Sequence, residues 1–398
     1  MSAPSPRTVR LMTFPVLLLA SVTAVACASP GRTDAPTAAC AASHPTVATT
    51  GAATGNTSTD RWHTLAPAPA SLTTFGMTTS AWTGRELLVT TLGKAGFHTA
   101  AYDPARCAWR TMPMPAPGTE PGMTQQAIWD GTEMLQFGVV NAALNPDSGT
   151  WRPLAPPPLD GLSTAVWTGQ QVLMWAGDSG YYEDFDNSPD GDEDGVDNVG
   201  AAYDPTHNTW QRLPAAPAGT SGATTVWTGT ELLVIGHRGA AYNPSTRSWR
   251  QLPAIDTSGA SVTWTGSVVL VVGGTHSDSN ALATAEAYDP ATNKVRHIAP
   301  MPSGRSLQSA VWDGNRLLVF GGLTVPAENA MGDFTDAGPG LAYDPRHDAW
   351  TLLPAAPIPG RTGAIAVWTG SQAIVWGGFS ATADENWLAD GAAYIPAT

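Results

Sequence analysis

From residue 60 onward, apolar positions come in short runs bounded by Gly, Pro, Asn, Asp or Thr, with no sustained three-to-four spacing of an amphipathic helix. Seven of these runs begin at Leu87, Met134, Val172, Leu232, Val268, Leu317 and Ala373. Each follows a Trp-(Thr/Asp)-Gly tripeptide, at Trp82, Trp129, Trp167, Trp227, Trp264, Trp312 and Trp368. A second signature comes after each run: Tyr102, Leu144, Tyr203, Tyr242, Tyr288, Tyr343 and Tyr394, each followed by one residue and then Pro. The pattern predicts four short antiparallel strands per copy. Strand a ends at the Trp, and the following Gly supplies the positive-φ position of a tight hairpin. Strand b is the apolar run. Strand c ends at Asp-Pro or Asn-Pro, where proline fixes φ and removes a donor. Strand d carries a further Trp and leads into a Pro-rich segment.

Four strands in each of seven units predict an all-β chain folded as a seven-bladed β-propeller. The ends support closure of the ring. Arg61 to Leu65 reads as a strand d with no a, b or c before it, and the C-terminus stops after the strand c of Ala393 and Tyr394. Pairing these two pieces completes one blade and removes the free sheet edges. Gly273-Gly274, Gly321-Gly322 and Gly377-Gly378, together with the spaced Tyr-Asp-Pro and Trp, resemble the kelch repeat across roughly residues 60 to 398. The other four units depart from the diglycine, with Leu92-Gly93, Phe137-Gly138, Ala176-Gly177 and Ile235-Gly236, and Val295 replaces the strand-d Trp in one unit.

Residues 1–26 read as a signal peptide: Arg7 and Arg10 precede an apolar stretch from Leu11 to Val25 and a small-residue cleavage site. Cys27 directly after that site resembles the lipobox of bacterial lipoproteins, with Ala24 where Leu is usual. This implies export, with either a lipid anchor on Cys27 at the outer cell envelope or simple secretion. Residues 27–59, rich in Ala, Thr, Ser, Pro and Gly, read as a flexible tether, and residues 60–398 as the propeller. An exported compartment permits a disulfide between Cys40 and Cys107, and two unpaired thiols are the alternative. The formal net charge of −14 excludes a general nucleic-acid binder. Nine carboxylates lie between Asp178 and Asn198, so the rest of the chain is close to balanced.

The a–b and c–d turns are short in every copy, whereas the b–c and d–a connections vary in length. In an antiparallel blade these two sets lie on opposite faces, and function concentrates on variable loops held by a rigid scaffold. Three groups on the variable face stand out. Asp190, Asp192, Asp194 and Asp197 alternate around Gly191 and Gly195, resembling the start of a calcium loop, although Ala201 stands where a bidentate Glu would close it. Calcium binding and a solvated acidic loop both remain open. Arg305 and Arg361 each open a strand a, the position from which arginines in kelch-type recognition domains reach the channel mouth. They are read either as anion ligands or as structural arginines bonding loop carbonyls. Finally His237, Arg238, Tyr181, Tyr182 and Trp387 share this face and suit a sugar or peptide surface. His98, His237 and His276 are placed on b–c loops of different blades, without metal-ligand spacing.

No nucleophile, base and orienting group stand in a recognisable array, so no catalytic residue is assigned. The leading expectation is a binding module for a glycan, peptide or protein at the cell surface. A carbohydrate-active enzyme of epimerase or lyase type is the alternative, and a structural envelope subunit a second. Copper chemistry of the galactose-oxidase type, to which kelch propellers are also related, is disfavoured because Cys107 falls in a c–d turn, on the face opposite the channel mouth.

Overall fold

The computed structural model describes residues 60–72, 78–93, 96–114, 125–159, 163–176, 199–217, 224–236, 238–275, 281–324, 335–380 and 387–397. The expected signal peptide, tether and acidic calcium loop lie outside them. Among the described residues the chain forms seven four-stranded antiparallel sheets and no helix. The first blade runs through Thr78–Trp82, Leu87–Gly93, Gly96–Asp103 and Ala108–Thr111, hydrogen-bonded in that order. Five more blades repeat it. The seventh consists of Ile365–Trp368, Ala373–Trp376 and Gly391–Ile395, completed by Arg61–Thr64 from the other end of the chain. The closing strands pair from Arg61 opposite Ile395 to Thr64 opposite Ala392. Strand a of each blade touches strand a of the next, and Ile365–Trp368 touches Thr78–Trp82, so the sheets form a closed ring.

The repeated tripeptide has a local cause. In the a–b turns Gly84, Gly131, Gly169, Gly229, Gly266, Gly314 and Gly370 all have φ between 90° and 105°, which a side chain would oppose. The residue before each glycine caps the turn. The Thr83 hydroxyl accepts from the Glu86 backbone N–H at 2.9 Å, and the Asp313 carboxylate accepts from that of Arg316. The Asp-Pro signature works the same way at the c–d turns, where Asp103 accepts the N–H of Ala105 at 2.9 Å and Asp204 that of Thr206 at 2.8 Å. Three residues past the proline the backbone turns left-handed, at Cys107, Gly149, Asn208, Arg247, Asn293 and Asp348. In three of these turns the left-handed residue also ties blades together, Asn293 by accepting from Arg250 of the preceding blade at 2.8 Å. Asn208 and Asp348 each accept from the strand-c tyrosine of their own blade, at 2.7 Å, and from a backbone N–H of the preceding connection, at 2.8 Å.

The strand-d tryptophans bind neighbouring blades. The indole N–H groups of Trp62, Trp109, Trp151, Trp210, Trp249 and Trp350 donate to the carbonyls of Pro354, Ala66, Pro113, Ala155, Pro214 and Ala299, all at 2.7–2.9 Å. Each carbonyl belongs to the Pro-rich segment leaving the preceding blade. Four of these rings also pack against a strand-b aromatic of that blade: Trp62 on Phe320, Trp109 on Trp376, Trp210 on Phe137 and Trp249 on Trp175, with centroids 5.0–5.6 Å apart. Val295 has no indole to offer, so the fifth blade lacks this staple.

Asp60 occupies, from the N-terminal side, the place that Asn208 and Asp348 occupy in their turns. Its carboxylate accepts from the Tyr394 hydroxyl at 2.6 Å and from the Ala397 N–H at 2.7 Å. Asp60→Ala is therefore expected to lower unfolding free energy by about 2 kcal/mol, the loss of two charge-assisted bonds. Urea denaturation measures it.

Candidate functional site

The variable loops emerge on one face, and their bases are fixed by a latch that uses the diglycine. In the fifth and sixth blades the second glycine N–H, of Gly274 or Gly322, donates at 2.8 Å to the carbonyl of Arg305 or Arg361 at the start of the next blade. A Cβ on Gly273 would lie 2.5 Å from the Arg305 carbonyl oxygen, and one on Gly321 would collide with that of Arg361. Only glycine allows this approach. The arginine side chains complete the latch. The Arg305 guanidinium donates to Gly321 O at 3.2 Å and Pro339 O at 2.7 Å. Arg361 donates to Pro359 O, to Gly377 O and to both the backbone carbonyl and the carboxylate of Asp390, the last at 2.8 Å.

The two arginines do not reach into the channel mouth. Arg305 is 2% and Arg361 3% exposed. They donate mainly to loop carbonyls, which are withdrawn from water and need partners, while Arg305 Nε and one terminal nitrogen of Arg361 are buried without a partner among the described residues. Burial without a carboxylate pulls the Arg305 guanidinium down to about 10. Arg361 has Asp390, itself 55% exposed, as its counter-ion.

Of the remaining candidates, Trp387 is half-buried and packs on Phe379 with centroids 5.5 Å apart at 73°. The pair stands beside the seventh blade's latch, since Phe379 bridges both Thr362 and Trp387. Arg238 is exposed on the fourth blade. His237, Tyr181, Tyr182, Asp190, Asp192, Asp194 and Asp197 lie outside the described residues, as do Cys27 and Cys40. Cys107 is disulfide-bonded, and the chain's other cysteines are those two. His98 is not on a loop: the first hairpin extends to a Gly93–Gly96 pairing, which places His98 in strand c opposite Thr91.

Sequence reasoning missed four features of this face. The long insert of the sixth blade contains a small hairpin, Leu323–Thr324 with Thr335–Asp336, docked on Ser306. The Asp336 carboxylate accepts from the buried Ser380 hydroxyl at 2.6 Å, joining the sixth and seventh blades. Between those blades opens a cavity of about 260 Å³, walled by Trp62, Phe320, Ile358, Val375 and the Pro and Gly residues flanking Arg361. The register Arg-Ser-Leu307 against Arg-Thr-Gly363 was a signal available in the sequence for a fourth, the unusual backbone of Leu307.

Residues 256–302, which form most of the fifth blade, match the Kelch motif family. The chain is a seven-bladed propeller that carries a Kelch motif in its fifth blade. Kelch-like protein 25 of Xenopus tropicalis is 33% identical over 102 residues, 26% of this chain, and the chain spans 16% of that relative's length. Among solved structures, a fungal alcohol oxidase of the AA5 family in complex with copper superposes with a TM-score of 0.62 at 15% identity, over 85% of this chain and 76% of that chain. That likeness concerns the fold. Among the described residues no group of three or more His, Cys, Asp or Glu converges, and Cys107 is committed to a disulfide on the turn face.

The turn face of the propeller is tied by ion pairs. Arg110 grips Glu86 through Nε at 3.0 Å and a terminal nitrogen at 2.7 Å, and Arg250 grips Glu231 alike. Hydrogen bonding from Arg110 holds the buried Glu86 carboxyl below its ordinary range, against the upward push of burial. A carboxyl lowered in the folded state stabilises above its unfolded value and loses that contribution as pH falls through the folded one. Glu86→Gln is thus expected to cost about 1–3 kcal/mol at neutral pH. The difference from the parent should narrow below about pH 4 in denaturation series. On the loop face, Gly321→Ala should destabilise by about 2 kcal/mol or more through displacement of the Arg361 carbonyl, whereas Gly338→Ala, with open space around it, should be near neutral in the same assay.

Proposed function

We propose that this kelch propeller is the interaction module of an exported, lipid-anchored protein and docks a peptide or protein partner on its loop face. One observation carries the reading: the connections of variable length leave the ring on one face, where diglycine and arginine latches hold the junctions from the fifth to the seventh blade, while the opposite face repeats the same short turns. A preorganised platform of this kind loses little freedom on binding. The disulfide at Cys107 supports export, since such bonds persist in oxidising compartments. Its pairing with Cys40 would tie the segment after the lipidated Cys27 to the turn face and leave the loop face directed away from the membrane. A glycan on the Phe379 and Trp387 pair is the competing ligand class, and calcium at Asp190 to Asp197 the ion that acidic loop would take.

A photo-crosslinking residue placed at Asp390, on the loop face, and at Arg247, on the turn face, tests the reading in the intact envelope. Protein adducts from position 390 and none from 247 are expected; adducts only from 247, or from neither, contradict it. Non-reducing peptide mapping should recover Cys40 joined to Cys107, and a free Cys107 thiol in the exported protein would remove that support. Calcium should raise the midpoint of thermal unfolding and EDTA reverse it, with both effects lost in Asp192→Ala.

A further inference from the structure

Six non-glycine residues among those described have positive φ. Five sit in the c–d turns of the opposite face. The sixth, Leu307, is on the loop face at φ 54°, where the innermost strand of the sixth blade begins. Leucine is poorly suited to this region because its Cβ crowds the following carbonyl. The equivalent positions of the neighbouring blades hold Gly259 at 63° and Gly363 at 61°. Backbone bonds chain the three together: Leu307 N–H donates to Gly259 O at 2.8 Å and Gly363 N–H to Leu307 O at 3.1 Å, with the Thr362 hydroxyl adding 3.0 Å to the same oxygen. These residues therefore line one arc of the channel mouth.

In that arc residue 307 is joined through its N–H and C=O, groups that a glycine would equally supply. Leu307 remains half-buried at the rim rather than sealed in the core. A strained apolar residue kept where the fold asks for glycine points to contact with something outside the fold. The chemistry around it narrows what that is. The two nearby arginines are buried in their latches, with almost no surface at the rim. The rim instead carries carboxylates: Asp256, exposed and accepting the Ser258 N–H, Asp336, which accepts from Ser380, and Asp390, the counter-ion of Arg361 and still 55% exposed.

We infer that Leu307 is the specificity contact of the mouth and receives an apolar side chain of a polypeptide segment that also carries basic residues. This rests on the loop-face docking proposed above. The test is a selection of random twelve-residue peptides against the full chain, followed by affinity measurement on variants. Enriched peptides should pair an apolar anchor with Lys or Arg. Leu307→Gly should melt several degrees higher, because the strain is relieved, yet bind the selected peptides roughly tenfold or more weakly, and Leu307→Met should keep the affinity. If Leu307→Gly melts lower, the side chain serves packing and the inference falls. Unchanged affinity in Leu307→Gly combined with loss in Asp390→Lys overturns Leu307 but leaves loop-face docking standing. Acidic peptides, no enrichment, or binding indifferent to both variants overturns the two together.

Discussion

One contact recurs around the ring and the rest of the structure depends on it: a strand-d indole N–H donating to a carbonyl in the Pro-rich segment that leaves the preceding blade. A four-stranded blade cannot bury both of its faces by itself, and the proline-rich segments carry carbonyls that no sheet ladder satisfies. The tryptophan meets both needs, covering apolar surface with its ring and pairing the orphan oxygen with its N–H. Trp62 does this for the seventh blade although it lies almost a whole chain length from its partner, Pro354. Closure thus uses the same contact as every other stapled junction, reinforced by four paired residues and by Asp60.

The loop face is organised by a second device, a charge placed where water is absent. Arg305 and Arg361 bring guanidinium groups into the seams between blades, where each gathers carbonyls that would otherwise be unpaired. Desolvating a guanidinium is costly, and the depressed value for Arg305 reflects it. The return is positional: the strand starts of the fifth, sixth and seventh blades are held in one hydrogen-bonded arc, and anything displayed on that arc is held with them. The first four blades lack the diglycine and carry other solutions. In the first blade Thr90 stands where four other blades have an aromatic residue, and it bonds Thr99 at 2.9 Å and Gln136 of the second blade at 2.6 Å.

Much of this was legible in the residues. The tripeptide and the Asp-Pro signature each encode a turn with a required φ and a side-chain cap, so the count of blades, the order of strands and the role of Arg61 to Leu65 follow from local chemistry repeated seven times. The fate of Arg305 and Arg361 was not legible in the same way. A guanidinium after a Pro-rich loop reads identically whether it turns outward or folds back, and the carbonyls that hold Arg305 belong to Gly321 and Pro339, far along the chain. The hairpin at Leu323 is hidden because two-residue strands leave no periodicity. His98 was misplaced because the first hairpin runs on through Gly93 and Gly96. Leu307 is visible only when its blade is aligned on its neighbours, where a glycine is missing.

The account's central claim is that indole staples, including the one that closes the ring, hold the blades as a single cooperative body. Hydrogen exchange of the tryptophan side chains, followed in a sample labelled at the indole nitrogen, tests it most directly. The indoles of Trp62, Trp109, Trp151, Trp210, Trp249 and Trp350 should exchange only through global unfolding, with Trp62 as slow as the other five. Rapid exchange at Trp62 while the others stay protected would show that the ring opens at its seam, and would contradict the claim.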